Sequence, residues 1–437
     1  MSTQVSTGNN THAGGTPPSG LSQVEAPENR IQRISTGVLL GIIGLLLLWG
    51  SLGTTGDAKI ALSDAFDAVQ LPTLVLPGMM TVALCAAFAL LAAAGYLSGK
   101  LHKRAANVAG VIGAFALLIG LITWAAAGSV AVFTMTNQLQ GTLAVATPLV
   151  FGALCGALSE RAGVVNIAIE GQFLTAAFAG AITGSLTKSL LAALIAAILA
   201  GMAMGALLAL FALKYFVDHV VLGVVINLLA AGLTGFLFHQ LVKEDTATYN
   251  AVPIMQRLAI PGLSKIPFVG PILFNQTALA YLAILMVPFV WFLLFKTKWG
   301  LRVRAVGEHP HAADTVGINV VSTKFVAVVL GGAMAGLGGA YFTIGSTGAF
   351  RPDMTVGNGF IALAALIMGR WHPVYAALMA LFFGFVTQLG QTLNPLGSPI
   401  DSQFLLMLPY VATIIAVAGL VGRVRAPAAD GDHFRKE

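Results

Sequence analysis

Long intervals without Asp, Glu, Lys or Arg restrict this chain more than any other feature. They run from Ile34 to Gly56, Ala68 to Gly99, Ala105 to Ser159, Ser189 to Leu213, Val220 to Val242, Ile266 to Phe295, Phe325 to Phe350, Trp371 to Ile400 and Ser402 to Gly422. A helix needs about 20 such residues to cross the hydrocarbon core of a bilayer. The composition agrees: 57% hydrophobic, 9% charged and a mean hydropathy of +0.86, where a water-soluble globule would be about 25% charged. The chain reads as an all-α polytopic membrane protein. Ala105 to Ser159 is long enough for two spans, with the polar Thr136-Asn137-Gln138 as the turn between them.

About twelve spans follow, at 36–53, 71–97, 108–128, 142–158, 164–186, 189–213, 219–241, 276–296, 324–346, 358–369, 373–390 and 403–421. The tenth is too short to cross alone and reads as a half-helix or re-entrant piece, tolerated where protein or water satisfies the loose backbone groups. With the N-terminus in the cytoplasm, most of the 23 Lys and Arg residues fall on that side, as the positive-inside rule requires. Both termini are therefore expected there. Residues 1–34, rich in Ser, Thr, Gly, Asn and Pro, read as a disordered tail. The first apolar run starts late and lacks a clear cleavage pattern, so it is expected to stay as an anchor. Val242 to Asn275, with its prolines, is the longest expected external loop.

Two polar islands interrupt the apolar sequence. Lys298 to Val320 (K-W-G-L-R-V-R-A-V-G-E-H-P-H-A-A-D-T-V-G-I-N-V) reads as a short cytoplasmic helix presented to another protein, with Pro310 in the first helical turn and Gly317 as the left-handed stop after Val316. The second, Ser159 to Phe173, contains Glu160, Arg161, Asn166, Glu170 and Gln172. Glu160 and Arg161 suit an interfacial pair. Glu170 falls in the membrane zone, where a carboxylate is a functional suspect by default. Asn166 and Glu170 are four residues apart and would share a helical face. That face lines a translocation path or locks a broken helix to its neighbour. Asn227, in mid-span, poses the same choice, with helix glue the commoner role of a lone amide.

Glycines concentrate within spans. Gly332 with Gly336, and Gly201 with Gly205, form small-xxx-small faces suited to close helix packing. Cys85 and Cys155 read as packing residues. The surplus of cations sits at span ends, which topology and anionic lipid explain better than nucleic acid.

Enzyme chemistry finds no support. Gly99-Lys100 is followed by Leu101, so no phosphate-cradling G-K-[ST] loop exists. None of His102, His219, His239, His309, His311 and His372 is followed by Glu, as a zinc protease motif requires. His309 and His311 lack a third ligand, and no metal is expected.

Three motifs carry a resemblance: R-A-V-G-E-H-P-H-A-A-D-T-V-G-I-N-V (Arg304 to Val320), E-R-A-G-V-V-N-I-A-I-E-G-Q-F (Glu160 to Phe173) and G-F-I-A-L-A-A-L-I-M-G-R-W-H-P (Gly359 to Pro373). The chain resembles permease subunits of bacterial ABC importers, in the branched-chain amino acid and simple-sugar permease family, nucleoside branch. The resemblance implies a core of about ten helices over residues 105–422, preceded by a two-span extension at 35–104 and followed by a cytoplasmic tail at 423–437. It implies that Arg304, Gly307, Glu308, Pro310, Ala312, Ala313 and Gly317 form the segment that couples to a separate ATPase, which would hydrolyse ATP with Mg. His309 stands where the family usually has Asn, a weaker helix cap. Ala168 for Gly and Gln172 for Met depart from the nucleoside-branch pattern near the suspected path, which would involve Asn166, Glu170, Gln172 and Asn227.

The resemblance further implies alternating access in the bacterial cytoplasmic membrane, a second permease chain, usually related but different in this branch, an extracytoplasmic solute-binding protein and a nucleoside or related simple sugar as substrate, with no cofactor in this chain. The rival reading is an ion-coupled secondary transporter using Glu170 and Asp218, since such carriers also combine broken helices with midplane carboxylates.

Overall fold

The computed structural model describes residues 27–65, 67, 69–396, 401–415 and 425–435. The tail expected at 1–34 lies outside them up to residue 26; from residue 27 onward the chain is helical. The end of the last expected span, from residue 416, also lies outside them.

Three long helices come first: α1 (Pro27–Leu52), α2 (Gly78–Ser98) and α3 (Lys103–Ala126). They pack on one another through Leu40 with Ala92 and Ala93, and through Leu47 with Val82 and Ala86. Strands β1 (Asp57–Ala61), β2 (Thr73–Pro77) and β3 (Phe133–Thr134) form a small sheet in the order β2-β1-β3. Residues 71–77, expected inside the second span, therefore belong partly to β2. Pro77 precedes the first helical residue, and its fixed φ of −63° suits that place. α3, expected to open the permease core, lies against α1 and α2.

The remaining elements are α4 (Met135–Glu160), α5 (Ile169–Thr187), α6 (Leu190–Lys214), α7 (His219–Leu237), α8 (Thr246–Tyr249), β4 (Arg257–Ala259), α9 (Val269–Leu273), β5 (Asn275–Thr277), α10 (Ala278–Lys296), α11 (Lys298–Glu308), α12 (Pro310–Thr315), α13 (Val320–Phe342), α14 (Asn358–Met368), α15 (Pro373–Leu393) and α16 (Ser402–Ile415). Single π turns continue α7 to Val242 and α13 to Thr347. Among the described residues, nine helices are long and apolar enough to cross a membrane. α14 is the expected half-helix. The fold is an all-α polytopic membrane protein whose short strands only tie loop ends together.

α4 is the hub. Of its apolar window, 78% is buried, against 28% for α10. Thr136 and Gln138, expected in a turn, instead lie in its first turn and are buried. Gln138 Nε2 donates to Phe385 O at 3.2 Å, and Thr392 Oγ1 donates to Gln138 Oε1 at 2.9 Å. The turn falls earlier, between Ala126 and Met135. Polar groups at the head of a span were read as a break because sequence alone does not show their partners on α15.

The two glycine faces meet. A Cβ added to Gly201 would overlap Gly332 O and reach Gly336 N at 2.6 Å, and one added to Gly205 would stand 3.0 Å from Val328 O. α6 and α13 thus touch backbone to backbone, the contact small residues permit in a medium without a hydrophobic drive. Both cysteines are free and buried. Gly336→Leu is expected to destabilise the protein by more than the ~1–3 kcal/mol usual for overpacking, because the obstructing atoms are backbone; thermal unfolding in detergent would measure it.

Candidate functional site

The second polar island folds as an interrupted helix. α4 stops because Gly163 takes a φ of +79°. Val164 N–H donates to Ser159 O at 3.1 Å and Gly163 N–H to Glu160 O at 2.9 Å, the paired bonds of a Schellman stop. The chain resumes helix only at Ile169. Residue 166 is therefore not helical, and the face expected to carry both Asn166 and Glu170 does not form. The two side chains point to different neighbours.

Asn166 and Gln172 turn toward α4, and both are fully buried. Asn166 Nδ2 lies 3.3 Å from Ser159 Oγ, 3.3 Å from Cys155 Sγ and 3.4 Å from Gln172 Oε1, and Cys155 Sγ donates to Gln172 Oε1 at 3.2 Å. Asn227 reaches across from α7: its Oδ1 accepts from Gly171 N–H at 2.8 Å and its Nδ2 donates to Ile167 O at 3.0 Å. One amide thereby satisfies a donor and an acceptor that the interruption of the helix leaves open.

Glu170 turns toward α14. Its Oε1 accepts from Thr355 Oγ1 at 2.5 Å and from Gly357 N–H at 2.8 Å, while Oε2 accepts from Gly359 N–H at 2.6 Å. The carboxylate caps the open N-terminus of the half-helix, where negative charge is favoured by the helix dipole. A Cβ on Gly359 would strike the Glu170 backbone, so glycine is what allows the approach. Nearby Val356 has a φ of +44°, an unfavourable conformation for a β-branched residue.

Glu160 and Arg161, expected as a pair, both bond to Trp371. Glu160 accepts from Trp371 Nε1. Arg161 Nε donates to Trp371 O at 2.9 Å, and Nη2 to Arg370 O at 3.3 Å. Burial pulls the Arg161 guanidinium below its ordinary pKa, Glu308 opposing and Arg304 adding to the effect.

The first polar island forms α11 and α12 as two short helices. Pro310 occupies the first turn of α12, and Gly317 has a φ of +83°, both as the sequence indicates. His309 makes no side-chain cap bond. Gly307 packs so closely that an added Cβ would overlap Arg161 O. Arg304 Nε donates to Leu294 O at 3.0 Å, and its guanidinium stands 4.9 Å from the Phe295 ring centre. Pro310 and Ala313 face inward, where Ala313 is 3% exposed among Val306, Val320 and Phe434. The outward face carries Ala312, Thr315 and Val316, the last 75% exposed. Ala313 thus supports α12 from behind, and the free surface lies on its neighbours.

Sequence reasoning missed Lys324, Thr355, Trp371, Asp430 and Phe434. Lys324, at the expected start of a span, is fully buried, with Nζ donating to Gly163 O at 3.2 Å and Asp432 O at 3.5 Å. Its signal was a cation beside an apolar run, with acids in the distant Asp430 and Asp432 to balance it. Burial pushes the Asp430 carboxyl up to about 8, Glu160 adding to the shift and Lys324 opposing it. Among the described residues, no group of three His, Cys, Asp or Glu side chains is placed to hold a metal ion.

Residues 138–418 match the family described as branched-chain amino acid transport system / permease component. The chain belongs to this family. The permease is 41% identical over 307 residues to the guanosine ABC transporter permease protein NupQ of Bacillus subtilis (strain 168), covering 68% of this chain and 96% of the relative. It is 39% identical over 318 residues to the nucleoside ABC transporter permease protein NupC of Lactococcus lactis subsp. cremoris (strain MG1363), covering 69% and 99%. It is also 25% identical over 301 residues to a second Bacillus subtilis protein, the guanosine ABC transporter permease protein NupP, covering 65% and 83%. No solved structure matches the chain. The permease is a multi-pass membrane subunit of an ABC transport system, and the secondary-carrier reading is not favoured. Asp218 is an exposed cap of α7, accepting from Val220 and Val221 N–H at 2.9 Å each.

Glu170→Gln turns an amide donor toward backbone N–H groups that need an acceptor. A loss of about 1–3 kcal/mol is expected, the cost of an unsatisfied buried donor, and thermal unfolding of the purified protein checks it. The Asp430 shift has a definite sign: the packing of residues 425–435, where Ala429 N–H donates to Gly307 O, favours the protonated carboxyl, so this packing is strongest below the ordinary value of 3.8 and weakens as pH rises toward about 8. Asp430→Asn should remove this dependence. A nitroxide on Ala428→Cys, at an exposed position, would report it as mobility.

Proposed function

We propose that this permease carries nucleosides into the cell as one membrane half of an ATP-driven importer. The observation that carries the reading is the outward face of α12, where Ala312, Thr315 and Val316 stand exposed on a short helix whose inner face is fixed. A small, rigid, partly apolar knob outside the spans fits a cleft on a separate ATPase, which supplies ATP, Mg and the hydrolytic step. The face carrying α11 and α12 is cytoplasmic in this reading, as are both termini, and the membrane is the bacterial cytoplasmic membrane.

Nucleoside as substrate is supported by the names of NupQ and NupC; a related simple sugar is the alternative the test must separate. A second, different permease chain is supported by Bacillus subtilis having two guanosine permease proteins that match this chain unequally, at 41% and 25% identity. A binding protein outside the membrane would deliver the solute.

Transport proceeds by alternating access, with ATP-driven motion of α12 shifting the balance between outward and inward states. A ligand shifts such a balance only by its differential affinity for the two states, so a weakly binding path suits release. Glu170 joins α5 to α14 beside that path, and Asn166, Gln172 and Asn227 hold the helix interruption in shape.

Radiolabelled guanosine and ribose uptake in cells making this chain with the second permease, ATPase and binding protein tests the proposal. Guanosine uptake that needs every component and stops on ATP depletion is expected. Uptake of ribose alone would move the substrate to sugars, and uptake by this chain alone would end the importer reading. Val316→Arg, which places a charge on the free face, should lower guanosine uptake at least about tenfold, within the range of ordinary coupling energies, while membrane insertion is unchanged.

A further inference from the structure

Residues 425–435 run without regular structure across the α11–α12 end of the molecule, and their contacts are those of a strap. Ala429 N–H donates to Gly307 O at 2.9 Å and Gly431 N–H to Gly163 O at 3.4 Å. Ala428 N–H donates to Glu308 Oε2 at 3.1 Å. Lys324, at the head of α13, holds Gly163 O and Asp432 O with one ammonium group. Phe434, 7% exposed, closes the cluster of Val306, Ala313 and Val320, and the His311 ring centre lies 5.1 Å from its own. Farther along, Arg435 stands 4.9 Å over the Phe216 ring.

Two features separate this segment from a solvated tail. Its phenyl ring is buried against the inner side of α12, opposite the exposed Ala312, Thr315 and Val316. Its backbone also fits a slot with no spare room: a Cβ on Gly163 would stand 2.8 Å from Ala429 O, 3.1 Å from Lys324 Nζ and 3.4 Å from Gly307 Cα. The strap therefore contacts α11, α12, the α4–α5 interruption and α13 together. A fully buried ammonium must be hydrogen-bonded to be tolerated. Here one of its two carbonyl partners belongs to the strap and the other to the interruption.

We propose that residues 427–435 are the mechanical link between the ATPase-docking segment and the helix interruption, with Lys324 and Phe434 as positioning residues. Displacement of α12 moves Phe434, and the strap carries that displacement through Ala429 and Gly431 to Gly163 and the segment that ends at Glu170. The inference rests on the reading of α12 as the ATPase contact.

The test uses the complete transporter, with both permeases, ATPase and binding protein, reconstituted in proteoliposomes. Solute moved per ATP hydrolysed is measured alongside co-purification of the ATPase. Phe434→Ala should keep the ATPase bound and hydrolysing while solute per ATP falls about tenfold, a coupling loss in the ordinary range. Phe434→Leu, which refills most of the pocket, should restore the ratio. A wild-type ratio in Phe434→Ala overturns the proposal. If Phe434→Ala does not assemble, a chain ending at residue 424 with the 425–437 peptide added decides: a ratio restored by peptide supports the strap, and a ratio indifferent to peptide overturns it. Val316→Arg is the control for the underlying reading. If it retains ATPase binding and transport, the docking assignment fails, whatever Phe434→Ala does.

Discussion

A helix interrupted inside a protein that lies in hydrocarbon exposes backbone N–H and C=O groups with no water to take them, and the rest of this architecture follows from how they are satisfied. The interruption between α4 and α5 relies on Asn227 from α7. The half-helix α14 relies on the Glu170 carboxylate from α5. Each cap comes from a different helix from the one it serves, so neither break can be relieved without moving a neighbour. α5, α7 and α14 are thereby joined by polar contacts in the region where apolar packing alone leaves helices free to slide.

The same logic extends to the end of the molecule that carries α11 and α12. Gly163 ends α4, lies against Gly307 of α11, and is gripped by Lys324 of α13. Glycine at 163 and 307 lets three backbones converge where side chains would hold them apart. The cost of burying Lys324 is offset by two carbonyl contacts and by the nearby Asp432. The polar islands of the sequence are thus one connected structure seen at two depths, with Gly163 as their shared point.

Much of this was legible in the sequence because span length, glycine spacing and the Pro310 and Gly317 signals depend on local chemistry. The half-helix at 358–368 was visible from its length alone. The shared helical face of Asn166 and Glu170 does not form, because Gly163 ends α4 in a left-handed turn and the chain resumes helix only at Ile169. β2 and β3 were hidden inside apolar runs that resemble helix, and β1 in the short charged gap between two such runs. The orientation of α12 was also out of reach: Ala312 and Ala313 are chemically identical, and the partners that bury Ala313 include Phe434, more than a hundred residues later.

The contact between α6 and α13 has a mechanical meaning. Because Gly201, Gly205, Gly332 and Gly336 put main chain against main chain, there is no side chain at those four positions that could shift to let the helices move apart or slide. Four residues separate α12 from α13, which with 23 residues spans about 35 Å at 1.5 Å per residue. A tilt imposed at the α12 end would therefore have to carry α6 along with α13, and the π turn at Thr343–Thr347 marks where regular α-helix ends on the far side.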